Sequence, residues 1–457
     1  MKCGYFKKDI TPPVKCCLSG NAKVRIAEEV ADPLFVRAVA FEEDGLAVVL
    51  CFDLIGMIQV EALKIREFVA KTIGCDTKQI FLTCTHTHTA PNIHSRFYPK
   101  TDYLMTSLKD LAAAAAQGAI ADLKEASFFF ARSELPGVSF NRRYLMKDGT
   151  TKTNPGRRNP NILRPVVPAD ETIQLLKIVR EGADDIALVN FQVHPDVRGG
   201  SKISADYPAV VCNTLEGALP NTKCIYFNGA SGDLNHVDVN CPEWDKNGGP
   251  DHVQHMGRSI AGKILSMYTK ARPVATGPVR TAQIDVPVPM RQSSPEELAE
   301  AQEFLRLYLE ENLKKIANYK TPEDLKDIST PEGFILPPNV NLTSYVYEML
   351  GIVVGAESGP IQMMPVTGLS FGEVSFAGFP GEVFCEIGRQ VRETSPYKAQ
   401  FIMGLTHGYP DYFLTKDAFE VDGYEKRSCP YQAGVGELMM DAGKALVKEL
   451  FDAASNA

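Results

Sequence analysis

Apolar and polar positions alternate along this chain in two rhythms. Residues 34–55, LFVRAVAFEEDGLAVVLCFDLI, hold two apolar runs around the polar turn Glu43-Asp44-Gly45 and predict a pair of strands. Residues 60–74, VEALKIREFVAKTIG, carry apolar residues at helical spacing and close on Gly74, which predicts a helix. Residues 79–84, QIFLTC, return to a buried strand. Strand, helix, strand is the rhythm of a parallel or mixed sheet. It continues with a helix over 103–124, strands over 185–194 and 223–236, and a helix over 251–271. Residues 374–393 predict a strand, a turn and a helix, and 400–415 a strand and a loop. The expected fold class is α/β, a mixed β-sheet core flanked by helices.

The stretch 291–350 departs from this pattern. SSPEELAEAQEFLRLYLEENLKKIANY places Ser at an N-cap, Pro at the first helical position and acids in the first turn. It predicts a charged amphipathic helix that buries Leu298, Ala301, Leu305, Tyr308 and Leu309. We read it as a helical insertion folded onto the main body, either at the mouth of a pocket or as a peripheral structural helix. The chain shows no internal repeat and no low-complexity segment, and reads as one domain over 1–457 carrying this insertion.

Composition narrows the function classes. With 457 residues, 44% of them hydrophobic, the chain can bury a site away from water. The net charge of −8 is spread without a basic stripe, so nucleic acid is not an expected partner. No apolar run reaches the ~18 residues a membrane helix needs, so stable membrane insertion is not expected. The 11 cysteines are scattered and include no CxxC pair. That usage predicts reduced thiols and a cytoplasmic location. The start, MKCGYFKKDITPP, lacks the apolar core of a secretion signal, which agrees.

The chain has eight histidines, and two of them, His86 and His88, sit together in FLTCTHTHTAPN, straight after a predicted strand. In extended chain, positions i and i+2 point to one side, so both rings face one site. Imidazole is the commonest zinc ligand, and Thr85, Thr87 and Thr89 can supply supporting hydrogen bonds. His194 ends a second apolar run, in QVHP, where Pro195 stops the ladder. Sites gather beyond the carboxyl ends of strands in sheets of this kind. Residues 232–255 offer Asp233, His236, Asp238, Cys241, His252 and His255. A second metal site is one reading of them, and a polar loop beside the active site is the preferred one. The GASGD run lacks the strand, elbow and helix of a serine hydrolase.

Six motifs, taken in order, resemble one family. YFKKDITP, THTHTAP, FNRRY, QVHP, FPGEVF and YPDYFLTKDAFEVDGYEKRS are similar to motifs of the neutral/alkaline, non-lysosomal ceramidases, which are zinc-dependent amidases. The resemblance implies that His86, His194, Glu382 and Tyr412 hold Zn2+. It assigns His88, Arg142 and Tyr424 to non-ligand catalytic roles. Asn141, Asp233, Asn235 and His407 are expected to line the pocket and contact substrate. Two imidazoles, a carboxylate and a phenol oxygen, with a position left for water, suit a catalytic zinc rather than a structural one. The expected partner is then a small-molecule or lipid-like amide. The chain departs from the family pattern at Thr89-Ala90, where the family has Ser-Gly, and in SGDLNH, which lacks Ser-Pro. Metal chemistry is therefore better supported than ceramide itself. The alternatives are an amidohydrolase-type metal enzyme acting on another amide or ester, and a non-catalytic zinc- or lipid-binding member of the fold.

Overall fold

In the computed structural model, which describes residues 1–94, 98–325, 329–338 and 340–455, the predicted hairpin lies inside a larger sheet. Its strands are β1 Lys2–Asp9, β2 Phe35–Glu42, β3 Leu46–Phe52, β4 Ile80–Cys84, β5 Lys124–Glu134, β6 Thr172–Arg180, β7 Asp185–Phe191 and β8 Thr222–Asn228. The order is β8-β7-β6-β5-β1-β2-β3-β4. The β3–β4 and β7–β8 pairs are parallel and the rest antiparallel, so the sheet is mixed as expected.

A second sheet, not anticipated as separate, packs on the first. It uses β9 Arg280–Pro289, β10 Ile361–Phe371 and β11 Val374–Gly378. A short strand β12, Glu382–Val383, follows, then β13 Ala399–Met403 and the short β14 Tyr412–Phe413. The order of this sheet is β9-β10-β11-β13, while β12 and β14 pair with each other. Helices cover the outer faces: α1 Gln59–Ile73, α2 Asp102–Ala121, α3 Tyr207–Ala218 and α4 Pro250–Tyr268 lie on the large sheet. After α5 Pro295–Ala317 and α6 Leu342–Glu357, helices α7 Cys385–Glu393 and α8 Val435–Ser455 cover the small one.

Strand alternation produces these four layers. In β2, Val36, Ala38 and Ala40 face α1 and α2, whereas Val39 and Phe41 face the second sheet. There Phe41 meets Phe371 at a ring separation of 4.9 Å, and Phe376 stacks on Phe401 at 4.8 Å. Each such ring, fully buried, contributes about 1.5–3 kcal/mol of transfer free energy.

Twist decides where the strand ends point. Following the ladder, β4 and β7 run in formally opposite directions. Six strand-to-strand steps at about 20–25° each turn the direction through about 120–150°. The two outer ends of the sheet therefore meet with their carboxyl ends together. Asn228, at the end of β8, fastens the junction: its Nδ2 donates to Thr85 O at 3.3 Å, and its Oδ1 accepts from Val193 N at 3.4 Å. The end of β13 joins in, with Gly404 N donating to Asn228 O at 3.0 Å and Gly404 O accepting from Thr83 Oγ1 at 2.8 Å.

The 291–350 stretch forms a helical pair, and its second helix runs on to Glu357, past the expected end. The cap is as predicted: Ser294 and Glu297 form a reciprocal capping box, with Pro295 at the first position. The buried face is Ala301, Phe304 and Tyr308, flanked by Leu298 and Leu305. Leu309 is half-exposed and outside it, because the side chains at 301, 304 and 308 follow the helical repeat and 309 falls one step off. This face packs on Ala22, Val24 and Ile26 of an N-terminal loop and on Tyr345, Val346 and Met349 of α6. Phe304 lies edge-on to Tyr345 and Phe334 at 4.9 and 5.1 Å. Phe304→Ala is expected to cost about 3–5 kcal/mol in a denaturant titration. A loss below about 1 kcal/mol would show that the pair does not pack on the body this way.

Candidate metal centre

The two histidine loops are built differently from the pleated geometry expected. Strand β4 stops at Cys84, and His86 sits at φ 75°, in the left-handed region. The two rings share a site because this turn aims them there, not because i and i+2 alternate in a strand. His86 N donates to Leu54 O at 2.9 Å, and His88 N donates to Pro195 O at 3.0 Å, which ties the first loop to the one carrying His194. A non-glycine residue in that conformation is strained and persists only where its surroundings over-determine it.

Backbone carbonyls then set each ring. His86 Nδ1 lies 2.7 Å from Ile55 O, His194 Nδ1 lies 2.9 Å from both Ser231 O and Leu234 O, and His88 Nδ1 lies 2.9 Å from Gly20 O. A carbonyl oxygen only accepts, so each Nδ1 carries the proton and each Nε2 presents a lone pair. Gly20 has φ 86°, and a Cβ there would stand 2.5 Å from His88 Nδ1, so this approach requires glycine.

The three Nε2 atoms converge, all within 4.8 Å of one another. Among the described residues this is the one group of three or more metal-binding side chains. Glu382 Oε2 joins them, 2.9 Å from His194 Nε2 and 3.5 Å from His86 Nε2, and it is buried without a well-aligned donor. Its other oxygen accepts from the Tyr409 hydroxyl at 2.8 Å. Burial alone would raise the Glu382 carboxyl, but its interactions with the His86 and His194 imidazoles hold it well below the usual carboxylate range. Lone pairs and a carboxylate facing one another need a cation between them, and an N/O donor set of this kind fits a divalent transition metal. Burial, and then His86, push the His88 imidazole down to about 3, so this ring is neutral at neutral pH.

Tyr412 is the register partner of Glu382 in the β12–β14 pair and lines the cavity in front of the histidines. Gly381, at φ 63°, lets the chain turn into Glu382: a Cβ there would lie 2.3 Å from Asp411 O. Arg142 stands behind the two tyrosines, its guanidinium 5.3 Å from the Tyr412 ring and 5.9 Å from the Tyr424 ring. Its Nη1 lies 3.4 Å from His194 Nε2, and its Nη2 is buried without a partner. Burial pushes the phenols of Tyr412 and Tyr424 well up, with Arg142 pulling the other way. The cavity in front of these groups has a volume of about 520 Å³, within the range of ligand pockets.

Two solved structures are similar to this arrangement over nearly the whole chain. A crystal structure of neutral ceramidase from Pseudomonas aeruginosa superposes with a TM-score of 0.72 at 17% identity, covering 98% of this chain and 74% of that one. A ceramidase complexed with C2 gives a TM-score of 0.72 at 16% identity, covering 99% of this chain and 75% of that one. The fold is the neutral ceramidase fold. No family model and no curated protein matches the sequence. A TIM barrel, the architecture of the rival amidohydrolase reading, is not this fold.

Within the neutral ceramidase fold, the structure brings His86, His88, His194, Glu382, Arg142, Tyr412 and Tyr424 together. The four residues expected to line the pocket do not do so. Asn141 Nδ2 donates to Asp233 Oδ2 at 2.8 Å, and Asp233 Oδ1 accepts from Cys385 N at 2.7 Å, so both are engaged in joining β12 and α7 to the loop before them. Asn235 donates to Asn154 Oδ1 at 2.7 Å. His407 is buried against Phe81, at 5.8 Å between rings, its Nδ1 accepts from Leu82 N at 3.4 Å, and it is not among the cavity-lining residues. Among the described residues, 232–255 contain no group of three or more metal-binding side chains drawn together as at the histidine centre. His236 pairs with Asp196 at 2.9 Å, Asp233 serves Cys385, and Asp238 accepts from Asn240 N at 2.8 Å.

Three contributors escaped the sequence reading. Tyr409 orients Glu382, and its position three residues before Tyr412 in YPDY was the available signal. Tyr347, from α6, forms a cavity wall opposite Tyr424, with rings 5.7 Å apart, and nothing in the local sequence marks it. Glu425 holds Arg142: its Oε1 accepts from Arg142 Nε at 2.7 Å and its Oε2 from Thr153 Oγ1 at 2.7 Å, with both acid and guanidinium buried. Removing one partner of a buried pair leaves an uncompensated charge. Glu425→Ala is expected to lose about 3–5 kcal/mol of stability by denaturant unfolding. Glu425→Gln keeps an acceptor for Arg142 and should lose clearly less; equal losses would mean that the charge of Glu425 is not what holds Arg142.

Proposed function

We propose that this protein is a zinc-dependent hydrolase that cleaves the C–N bond of an N-acyl amide, with zinc held by His86, His194, Glu382 and Tyr412. The observation that carries the reading is the buried convergence of His86 Nε2, His194 Nε2 and Glu382 Oε2, three acceptors turned toward one another. A bound zinc ion supplies Lewis acidity at the amide carbonyl and a water that is nucleophilic near neutral pH.

The chain's own residues supply the rest. His88, neutral and anchored through Nδ1 to Gly20 O, has a free Nε2 that takes the proton from the attacking water. The water oxygen ends on the acyl carbon, the C–N bond breaks, and the proton passes from His88 Nε2 to the amine nitrogen. Arg142 Nη2, buried and unpartnered beside the Tyr424 ring, and the Tyr424 hydroxyl stabilise the negative charge that develops on the carbonyl oxygen. Tyr409 fixes Glu382, and Glu425 fixes Arg142, so the groups are preorganised before substrate arrives. The cavity mixes aromatic hydroxyls with the apolar side chains of Ile58, Val60, Leu350 and Val354, which suits an amide with an apolar acyl part. No described helix is long and apolar enough to cross a membrane, and all eleven cysteines are free thiols, which suits work in a reducing compartment such as the cytoplasm.

A second reading of the same centre makes His88 a ligand, because its Nε2 lies 3.3 Å from that of His86. Elemental analysis separates the two. We expect about one zinc per chain in the native protein and a large loss in His194→Ala; equal zinc in both would remove His194 from the site.

His88→Ala is expected to retain its zinc and lose activity by about 10²–10⁴-fold, as for a general acid–base group. A metal-free His88→Ala protein would instead make His88 a ligand. Activity is measured on N-acyl sphingosine in micelles and on short N-acyl amines side by side. Zinc-loaded protein that cleaves neither, nor any amide in a wider screen, would overturn the hydrolase reading and leave a binding protein.

A further inference from the structure

Arg25 takes no part in the chemistry above, yet its guanidinium lies against the backbone of His88. It ends an N-terminal turn that Leu18 N closes by donating to Arg25 O at 2.8 Å. The side chain then folds back over its own turn. Nη2 donates to Ser19 O and, at 2.5 Å, to His88 O, while Nη1 donates to Gly200 O at 3.3 Å. Among the described residues these three carbonyls accept from Arg25 alone.

The three carbonyls belong to three loops that meet around His88. Ser19 directly precedes Gly20, whose oxygen lies 2.9 Å from His88 Nδ1. Gly200 follows His194 in the loop whose Pro195 O accepts from His88 N at 3.0 Å. His88 is therefore held at its N–H by Pro195, at its carbonyl by Arg25 and at its ring by Gly20. One nitrogen, Arg25 Nη2, spans both sides of the contact between His88 Nδ1 and Gly20 O. A guanidinium suits this place, because it offers several N–H donors in a rigid plane and no acceptor. Without it, Ser19 O and His88 O would be two acceptors with no donor between them, and the turn would move to satisfy them.

Resting on the amide-hydrolase reading for its effect on turnover, we infer that Arg25 is a positioning residue for His88. By holding Ser19 O and His88 O together, it keeps Gly20 O on His88 Nδ1. The proton then stays on Nδ1 and the lone pair on Nε2. When that contact loosens, a neutral imidazole can carry its proton on either nitrogen. Molecules with the proton on Nε2 cannot take one from water there, so the loss falls on the proton-transfer step rather than on substrate or zinc binding.

The test uses the zinc-loaded full chain with isotope-labelled histidine, whose tautomers are read by nitrogen NMR. The His88 signals are identified by their loss in His88→Gln. In wild type we expect His88 with its proton on Nδ1. Arg25→Met removes the donors and should give a mixture of both tautomers. It should also lower kcat by about 10–100-fold, with KM within about 2-fold and zinc content unchanged. Arg25→Lys brings three donors on one nitrogen, as Nη2 serves both carbonyls from one nitrogen, and should restore the wild-type tautomer and most of kcat. An Arg25→Met protein that keeps the wild-type tautomer or the wild-type kcat overturns the positioning role. If Arg25→Met does not fold, Arg25→Gln, a shorter and uncharged amide, is held to the same criteria. Loss of fold or of zinc in both makes Arg25 a structural tie and overturns the role as well. If wild type holds zinc and cleaves no amide, the hydrolase reading falls and the tautomers alone decide. A mixture in Arg25→Met that Arg25→Lys abolishes supports the placement of His88 by Arg25, and identical tautomers in all three proteins overturn it.

Discussion

Acceptors do not hold one another. Three imidazole lone pairs and a carboxylate oxygen are turned inward in this protein, within a buried space, and each repels the others unless a positive charge lies between them. The rest of the site is organised around that conflict. Carbonyls of Ile55, Gly20, Ser231 and Leu234 take the Nδ1 protons and so prevent any ring from turning to present a donor. The Tyr409 hydroxyl takes one oxygen of Glu382 and leaves the other facing in. Backbone carbonyls are the strongest means of doing this, because their positions are fixed by the ladders and loops on either side. The cost is visible in the left-handed backbone of His86 and Asp411, both beside the centre.

The fold makes such a meeting geometrically possible. In a flat sheet ordered β8-β7-β6-β5-β1-β2-β3-β4, the ends of β4 and β7 would lie six strands apart and point opposite ways. Accumulated twist and curl bring them together, and Asn228 fastens the two loops through its amide. The second sheet serves the same junction: Gly404, just past β13, bonds to both Asn228 and Thr83. Glu382 and Tyr412 reach the site from short paired strands that leave this second sheet, so the candidate metal centre lies where the two sheets meet.

What could be read from the sequence follows from how each feature is encoded. The β3–α1–β4 unit was legible because its apolar periods are local and its boundaries carry Gly45 and Gly74. The helix α5 was legible from its capping box. Strands β5 and β1 were not read as strands, because KEASFFFARSE and KCGYFKKD keep many polar or half-exposed positions and show no clean buried run. The separate second sheet depends on pairing between β9 and β10, about eighty residues apart, which local patterning cannot show. At the site, titratable side chains in short motifs stood out. Asn141, Asp233 and Asn235 were taken for pocket residues on the same grounds, but a polar side chain near a site can equally serve a backbone N–H. Asp233 does so for Cys385. The carbonyls that fix the imidazoles have no sequence signature at all.

Chemistry and shape come from different parts of the chain. The inward-facing acceptors, Arg142 and Glu425 all lie in segments that are locked into one another by short hydrogen bonds at 2.7–2.9 Å. The opposite wall, with Tyr347, Leu350 and Val354, belongs to α6. That helix is held to the body by apolar packing with α5 and an N-terminal loop, and by Arg427 reaching Glu348 at 3.0 Å. Apolar packing tolerates volume-conserving exchange far better than a hydrogen-bonded network tolerates loss of a partner. Changes on α6 therefore reshape the cavity without disturbing the acceptors that define the centre, whereas a change at Tyr409, Asn228 or Glu425 acts on the centre itself. The cavity is divided accordingly. Its inner end is fixed by charge and geometry, and its outer walls are set by side-chain volume on one helix.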